Sequence, residues 1–389
     1  MIQPEGPTTR DCSCFFLYLS AAASLAVIAA ARWFGPAYFY VTEREWQTAL
    51  TTLWTTLEGR GLFDAPTPLM GPPWHIPIEF PLFQWLAAQV DVPVLSLGDT
   101  GRLLSLIFFL TGVAVFRKLA LDLDLDRRVA NTSTALVVTS PLFLAYAFSY
   151  TIENLAILLG LISLWALVRW LRQPNLTLLI LATLAGCAGA LAKATTWAIF
   201  AAVMIVLAFW VVTAARRHGR SAWDTTVGTS LAILIPLACG LAWVHWSDAV
   251  KVAQPLASDL TSASLSQWNY GTFEQKIALS QWGAFILRST ALVLGPLGLL
   301  AVGPAVVSAF RSHRQRPPFP VLLASAIGLV AGPLIFTNLF FQHDYYALTP
   351  GLFAVLLFSS VFFSRRSRPW LLSLLILSNL VTAAAFLAD

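Results

Sequence analysis

Residues 176–214 read LTLLILATLAGCAGALAKATTWAIFAAVMIVLAFWVVTA, and Lys193 is the single charged residue in them. A helix needs about 20 apolar residues to cross the hydrocarbon of a bilayer. Only helices and closed barrels satisfy their backbone there. The apolarity is continuous rather than alternating, so the stretch reads as two membrane helices meeting in a tight hairpin at Lys193. Similar runs cover Phe15 to Ala31 and Leu371 to Ala388. Mean hydropathy is +0.73, and only 11% of the 389 residues are charged. The chain is expected to be an all-α polytopic membrane protein.

Eleven spans are predicted, at about 13–33, 100–116, 129–148, 152–169, 176–193, 195–213, 226–245, 284–309, 319–340, 347–363 and 369–387. Residues 1–389 then form one transmembrane domain, with outer loops at 34–99 and 246–281. The first run lacks a basic leader and a small-residue cleavage site, so it reads as a retained helix. Cys12, Cys14, Cys187 and Cys239 show neither metal spacing nor a disulfide framework. Acylation of Cys12 and Cys14 is the alternative to plain packing.

Alternate connections carry the basic residues: Arg10; Arg117, Lys118, Arg127, Arg128; Arg169, Arg172; Arg216, Arg217, Arg220; Arg311, Arg314, Arg316; and Arg365, Arg366, Arg368. These are 16 of the 24 Lys and Arg, and they mark the cytoplasmic face. They also explain the pI near 9.2 without a nucleic-acid partner. The remaining ionisable residues collect on the opposite face, where charges at a membrane edge tend to mark function. A cell-membrane protein with its chemistry outside is expected.

In the first outer loop, Trp46, Leu50, Leu53, Trp54 and Leu57 form one helical stripe. Arg44, Thr48, Thr51, Thr55 and Glu58 lie opposite, which predicts an amphipathic interfacial helix. Glu45 fits a capping box with Thr42, and Glu43 suits the dipole of the first turn. Each is equally a candidate for chemistry; Arg44 has no such structural role. Further on, GPPWHIPIEFPLFQW (71–85) places His75 and Glu79 among prolines and aromatics. Pro81 is expected at the first position of a short helix from Leu82 to Gln89, so Glu79 either caps that helix or serves a site. Glu153 opens a span, where it is either an ordinary first-turn carboxylate or a substrate ligand. Lys193 either snorkels or offers a fixed cation to a phosphate. Phe340–Pro350 gathers His343, Asp344, Tyr345 and Tyr346, more than an aromatic belt requires. No zinc spacing, Walker loop or dinucleotide fingerprint is present.

Taken in order, the Arg44-Glu-x-x-Thr48 helix, PxEFPLFQW (77–85), Arg102, SYTIEN (149–154), GALAKATTW (189–197), LSQWNYGTFEQKI (265–277) and HDYYALTP (343–350) resemble a known family. They are similar to the polyprenyl-phosphate-sugar-dependent membrane glycosyltransferases of the GT-C fold, in the family 39-like bacterial branch. That branch is related to protein O-mannosyltransferases and the lipid A aminoarabinose transferase. The resemblance implies two juxtamembrane helices in the first outer loop and transfer of a sugar from a lipid-phosphate carrier to a glycan, lipid or protein acceptor. It implies no cofactor and gives no indication of a metal.

The resemblance further implies a first-loop carboxylate as base. Many relatives hold an aspartate in the first juxtamembrane helix, which has none here through Leu57. Glu45 and Glu79 are therefore the leading candidates, with Glu43 behind and Gln47 in the same pattern. Arg44, Lys193 and Arg102 are the implied phosphate ligands. His343, Asp344, Tyr345 and Tyr346 would line the donor end. A transporter or flippase, or a degenerate transferase, is the alternative.

Overall fold

The computed structural model describes residues 12–34, 43–64, 67–72, 74–90, 95–215, 221–310, 318–363 and 369–388. Thr42, Arg10 and the basic connections 216–220, 311–317 and 364–368 lie outside them, as does most of the segment joining the first span to the interfacial helix.

Helices dominate. In chain order they are α1 (Cys12–Phe34), α2 (Glu43–Glu58), α3 (Leu82–Ala88), α4 (Leu97–Asp122), α5 (Arg127–Thr139), α6 (Pro141–Ala147), α7 (Glu153–Arg172), α8 (Leu176–Ala192) and α9 (Ala194–Ala215). Then come α10 (Ala222–Val252), α11 (Ser266–Tyr270), α12 (Phe273–Ile277), α13 (Leu279–Phe310), α14 (Phe319–Ile335), α15 (Thr337–Gln342), α16 (Leu348–Phe362) and α17 (Pro369–Ala388). Among the described residues the extended structure is one isolated antiparallel bridge, Thr67 to Ile76.

The chain is a multi-pass membrane protein. Eight helices are long and apolar enough to cross a bilayer, and a ninth crossing results if α5 and α6, bent by 62°, count as one span. The expected count of eleven would also require α8 and α14, each of 17 residues, to cross. Length and composition alone do not establish that count.

Several expected spans are broken helices. Pro141 follows the bend between α5 and α6, where it fits the first turn of α6. Within α13, Gly295 adopts φ +72°, and a Cβ there would lie 2.0 Å from the Asn379 amide oxygen. Both the conformation and the contact demand glycine. α10 runs past its expected end at residue 245 to Val252, which carries Asp248 and Lys251 on a helix rather than a loop.

The small residues near Lys193 do permit close packing. A Cβ on Gly186 would sit 2.7 Å from Pro236 and 2.9 Å from Trp197. Gly240 of α10 lies against Ala190 of α8, so the two helices approach closely at the level of the hairpin.

α2 is amphipathic as expected, with its polar side turned toward the protein. Glu45, Thr48, Thr51, Thr52 and Thr55 are buried, while Trp46, Leu53 and Leu57 are exposed. The threonine hydroxyls donate to carbonyls one turn back, as Thr48 does to Arg44 at 2.7 Å and Thr55 to Thr51 at 2.8 Å. A threonine face that satisfies itself in this way can pack without water, and the apolar stripe is left for lipid.

Candidate active site

α2 and the segment before α3 line a cavity of about 700 Å³ at one end of the helical bundle. Its wall includes Glu43, Arg44, Gln47, Glu79, Lys193, His343, Asp344, Tyr345 and Tyr346. Nine of the candidates named from the sequence therefore meet in one place.

Arg44 is fixed on two sides. It donates to Glu79 at 2.6 Å and to Gln47 at 3.1 Å. The other Glu79 oxygen accepts from Gln84 of α3 at 2.7 Å. Glu79 thus bridges α2 and α3 and holds the guanidinium against the cavity; it makes no cap for α3. Pro81 takes the position before that helix rather than its first turn, and no side chain caps it. Glu79 raises the pKa of Arg44 above its already high ordinary range.

Lys193 is the one residue separating α8 from α9, so its side chain has no loop in which to escape. Its ammonium donates to both oxygens of Glu153 at 2.6 and 2.5 Å. It also lies 4.6 Å from the ring centre of Tyr345 and 4.2 Å from that of Tyr346, inside the range of cation–π attraction. Lys193 therefore does not snorkel to water. Glu153 stands behind it as counter-ion and is not part of the wall.

His343 stacks on Tyr345 at 5.2 Å and meets Trp268 edge-on at 5.9 Å. Burial, then the charges of Arg44 and Lys193, hold its pKa below the usual histidine range. It is neutral at pH 7 and able to donate one N–H. The unfolded chain takes up this proton near pH 6.5, and the folded site only below that. Stability therefore falls as pH drops below about 6.5. His343→Gln is expected to lose less of its unfolding midpoint than wild type between pH 7.5 and 5.5 in detergent; equal losses would remove His343 as the cause.

Glu43 lines the cavity with no hydrogen bond or ion pair among the described residues. Asp344 is held by Arg288 at 3.1 Å, and Arg288 also donates to the Phe341 carbonyl at 3.0 Å.

Besides Glu153, three expected site residues stand off the wall. Glu45 is buried on the far side of α2. There it accepts the backbone N–H of Tyr150, with Arg102 at 3.8 Å. Its burial raises its pKa, opposed by that N–H and by Arg102. Arg102 shares that buried position and does not reach the cavity. At about 100° per residue, Glu43 and Glu45 point to nearly opposite sides of a helix; Glu43 has the cavity side. His75 also lies away from the wall, 4.0 Å from Asp64.

Other wall residues escaped the sequence reading, among them Trp243, Asp248, Lys251 and Trp268. Arg288, behind Asp344, also escaped it. A lone charge in an apolar span was the available signal for Arg288, whereas Asp248 and Lys251 fell in a stretch that reads as loop. Among the described residues, no group of three His, Cys, Asp or Glu side chains could hold a metal ion.

The membrane helices, with α2 and α3 between the first two spans, share the GT-C fold of two solved structures. Two solved structures carry the comparison. ArnT from Cupriavidus metallidurans bound to undecaprenyl phosphate matches with a TM-score of 0.57 and 14% identity, over 91% of this chain and 61% of that one. The same protein in the apo state matches with a TM-score of 0.55 and 14% identity, over 92% and 62%. This chain thus spans about three fifths of the length of those structures, and the likeness is one of fold. No protein-family model matches the chain, and no curated protein does.

Proposed function

We propose that this chain transfers one sugar from a polyprenyl-phosphate carrier to an acceptor hydroxyl outside the cytoplasm. The observation that carries this reading is the convergence of Arg44, Lys193 and neutral His343 on the cavity that Glu43 also lines. A structure of the same fold was solved with undecaprenyl phosphate bound, which supports the choice of carrier.

In this reading the acceptor oxygen bonds to the sugar's anomeric carbon as the carbon–oxygen bond to phosphate breaks. Phosphate leaves with the bonding pair, and its charge requires fixed cations. Arg44 and Lys193 supply them. Glu43 takes the acceptor proton, a role open to a carboxylate that lines the cavity and makes no ion pair among the described residues. Glu79 and Gln84 keep Arg44 in place. His343 donates a hydrogen bond to sugar or phosphate, and Tyr345 and Tyr346 wall the donor end. Glu45 and Arg102 anchor α2 to its support.

Helix direction supports the outer location. α7 starts at Glu153 beside the cavity and ends at Arg172, about 30 Å away along its axis. Arg169 and Arg172 pair there with Asp122 and Asp124. That basic end is the cytoplasmic one by charge bias, which leaves the cavity outside. A wall built from helix ends rather than midplane breaks also favours a transferase over a transporter.

The test is reconstitution with labelled polyprenyl-phosphate sugars and membrane acceptors. Release of polyprenyl phosphate with growth of labelled acceptor is expected. No release from any donor, by protein shown to be folded, would contradict the reading.

A further inference from the structure

The cavity wall holds a third cation, Lys251, which makes no ion pair among the described residues. Lys251 sits in the last turn of α10, lines the wall and is 8% exposed. Among the described residues, its ammonium has no hydrogen bond and no carboxylate within ion-pair distance. Asp248, one turn earlier, acts on Lys251 through its field but makes no ion pair with it; its oxygens accept the Ser262 N–H at 2.9 Å and the Ser262 hydroxyl. A lysine serving only the negative end of a helix dipole gains little from it at an exposed position. A buried ammonium with no direct ion pair is costly, and its position on a cavity wall leaves room for an anion to pair with it.

The position is separate from the Arg44–Lys193 cluster. α8 and α10 both run toward the cavity and touch where Gly240 meets Ala190. From 190 to 193, α8 adds about 4.5 Å, whereas from 240 to 251, α10 adds about 16 Å. Lys251 therefore stands toward the outer rim, about a helix diameter beyond Lys193. The backbone around it is held firmly. Ser247 donates to the Pro77 carbonyl at 2.7 Å, and Gln254 to the Pro72 carbonyl at 3.0 Å. About 12 Å back along α10, level with Lys193, the indole of Trp243 packs on Phe80 and Trp246, at 5.0 and 4.8 Å, and offers an apolar wall suited to a sugar face between the two cations.

We propose that Lys251 forms a second oxyanion subsite at the outer rim, which holds a phosphate or other oxyanion carried by the acceptor, while Trp243 walls the cavity between it and Lys193. Only the naming of the occupant as acceptor rests on the transferase reading; the anion site stands on its own geometry.

The probe is glycerol 1-phosphate, titrated into the full chain in zwitterionic nanodiscs. Lys251→Met keeps the volume and removes the charge, which is neutral or stabilising for an unpaired buried cation. Binding is expected to weaken at least about tenfold in Lys251→Met, in keeping with a lost charge-assisted contact, and to recover in Lys251→Arg. Nanodiscs with anionic phosphatidylglycerol distinguish the source. Competition there assigns the oxyanion to a lipid headgroup, and unchanged binding assigns it to a soluble or glycan-borne group; either supports the site. Equal binding by wild type and Lys251→Met would overturn it, even if sugar transfer is intact. Failed transfer with Lys251-dependent binding intact would instead overturn the transferase reading.

Discussion

Glu43→Gln is expected to lower the sugar-transfer rate about 10²- to 10⁴-fold, the range of a lost general base, with donor affinity within about twofold of wild type. Glutamine keeps the shape and loses the proton acceptor. The neighbouring carboxylates should behave differently. Glu79→Gln loosens Arg44, because the 2.6 Å ion pair goes, and should weaken donor binding more than it slows the bound complex. Glu45→Gln leaves the cavity wall intact and should mainly lower the unfolding midpoint, since Glu45 is 4% exposed and holds the Tyr150 N–H. Rates and donor affinities measured for the three variants separate these outcomes. Full transfer by Glu43→Gln with loss in Glu45→Gln would reverse the assignment.

The second large effect concerns Glu153. Its side chain and that of Lys193 are 4% and 6% exposed, and each is the other's counter-ion. Removing one partner of a buried pair leaves a bare charge and costs about 3–5 kcal/mol. Glu153→Ala should therefore unfold at a clearly lower temperature in detergent. Replacing both, as Glu153→Leu with Lys193→Met, restores an apolar contact and should recover most of that stability. Transfer should not recover, because the phosphate has lost Lys193. A double variant with restored stability and wild-type transfer would show that Lys193 serves packing alone.

The membrane class was legible because 39 near-uncharged residues with a single lysine allow little else. The hairpin at Lys193 was equally plain, since two spans separated by one residue leave its side chain nowhere to go. The interfacial helix was legible as a stripe, but a stripe does not say which side meets protein. Here lipid takes the apolar side, and threonines that bond to their own backbone make the polar side fit for burial. That choice turned Glu45 inward and Glu43 toward the cavity, which spacing alone left open. Glu79 was ambiguous between capping and chemistry because its partner, Arg44, is 35 residues away. Lys251 was hidden by the apparent end of its helix at residue 245; only the extension of α10 to Val252 brings it over the cavity. The breaks at Ser140 and Gly295 follow local Pro and Gly chemistry and were masked by unbroken hydropathy.

The most direct measurement is the binding of polyprenyl phosphate to the full chain in nanodiscs, for wild type, Arg44→Met and Lys193→Met. Wild type is expected to bind saturably. Each substitution removes one charge-assisted phosphate contact, and affinity should fall at least about tenfold. Equal affinity in all three folded proteins would contradict the assignment of this cavity to a lipid-phosphate sugar donor.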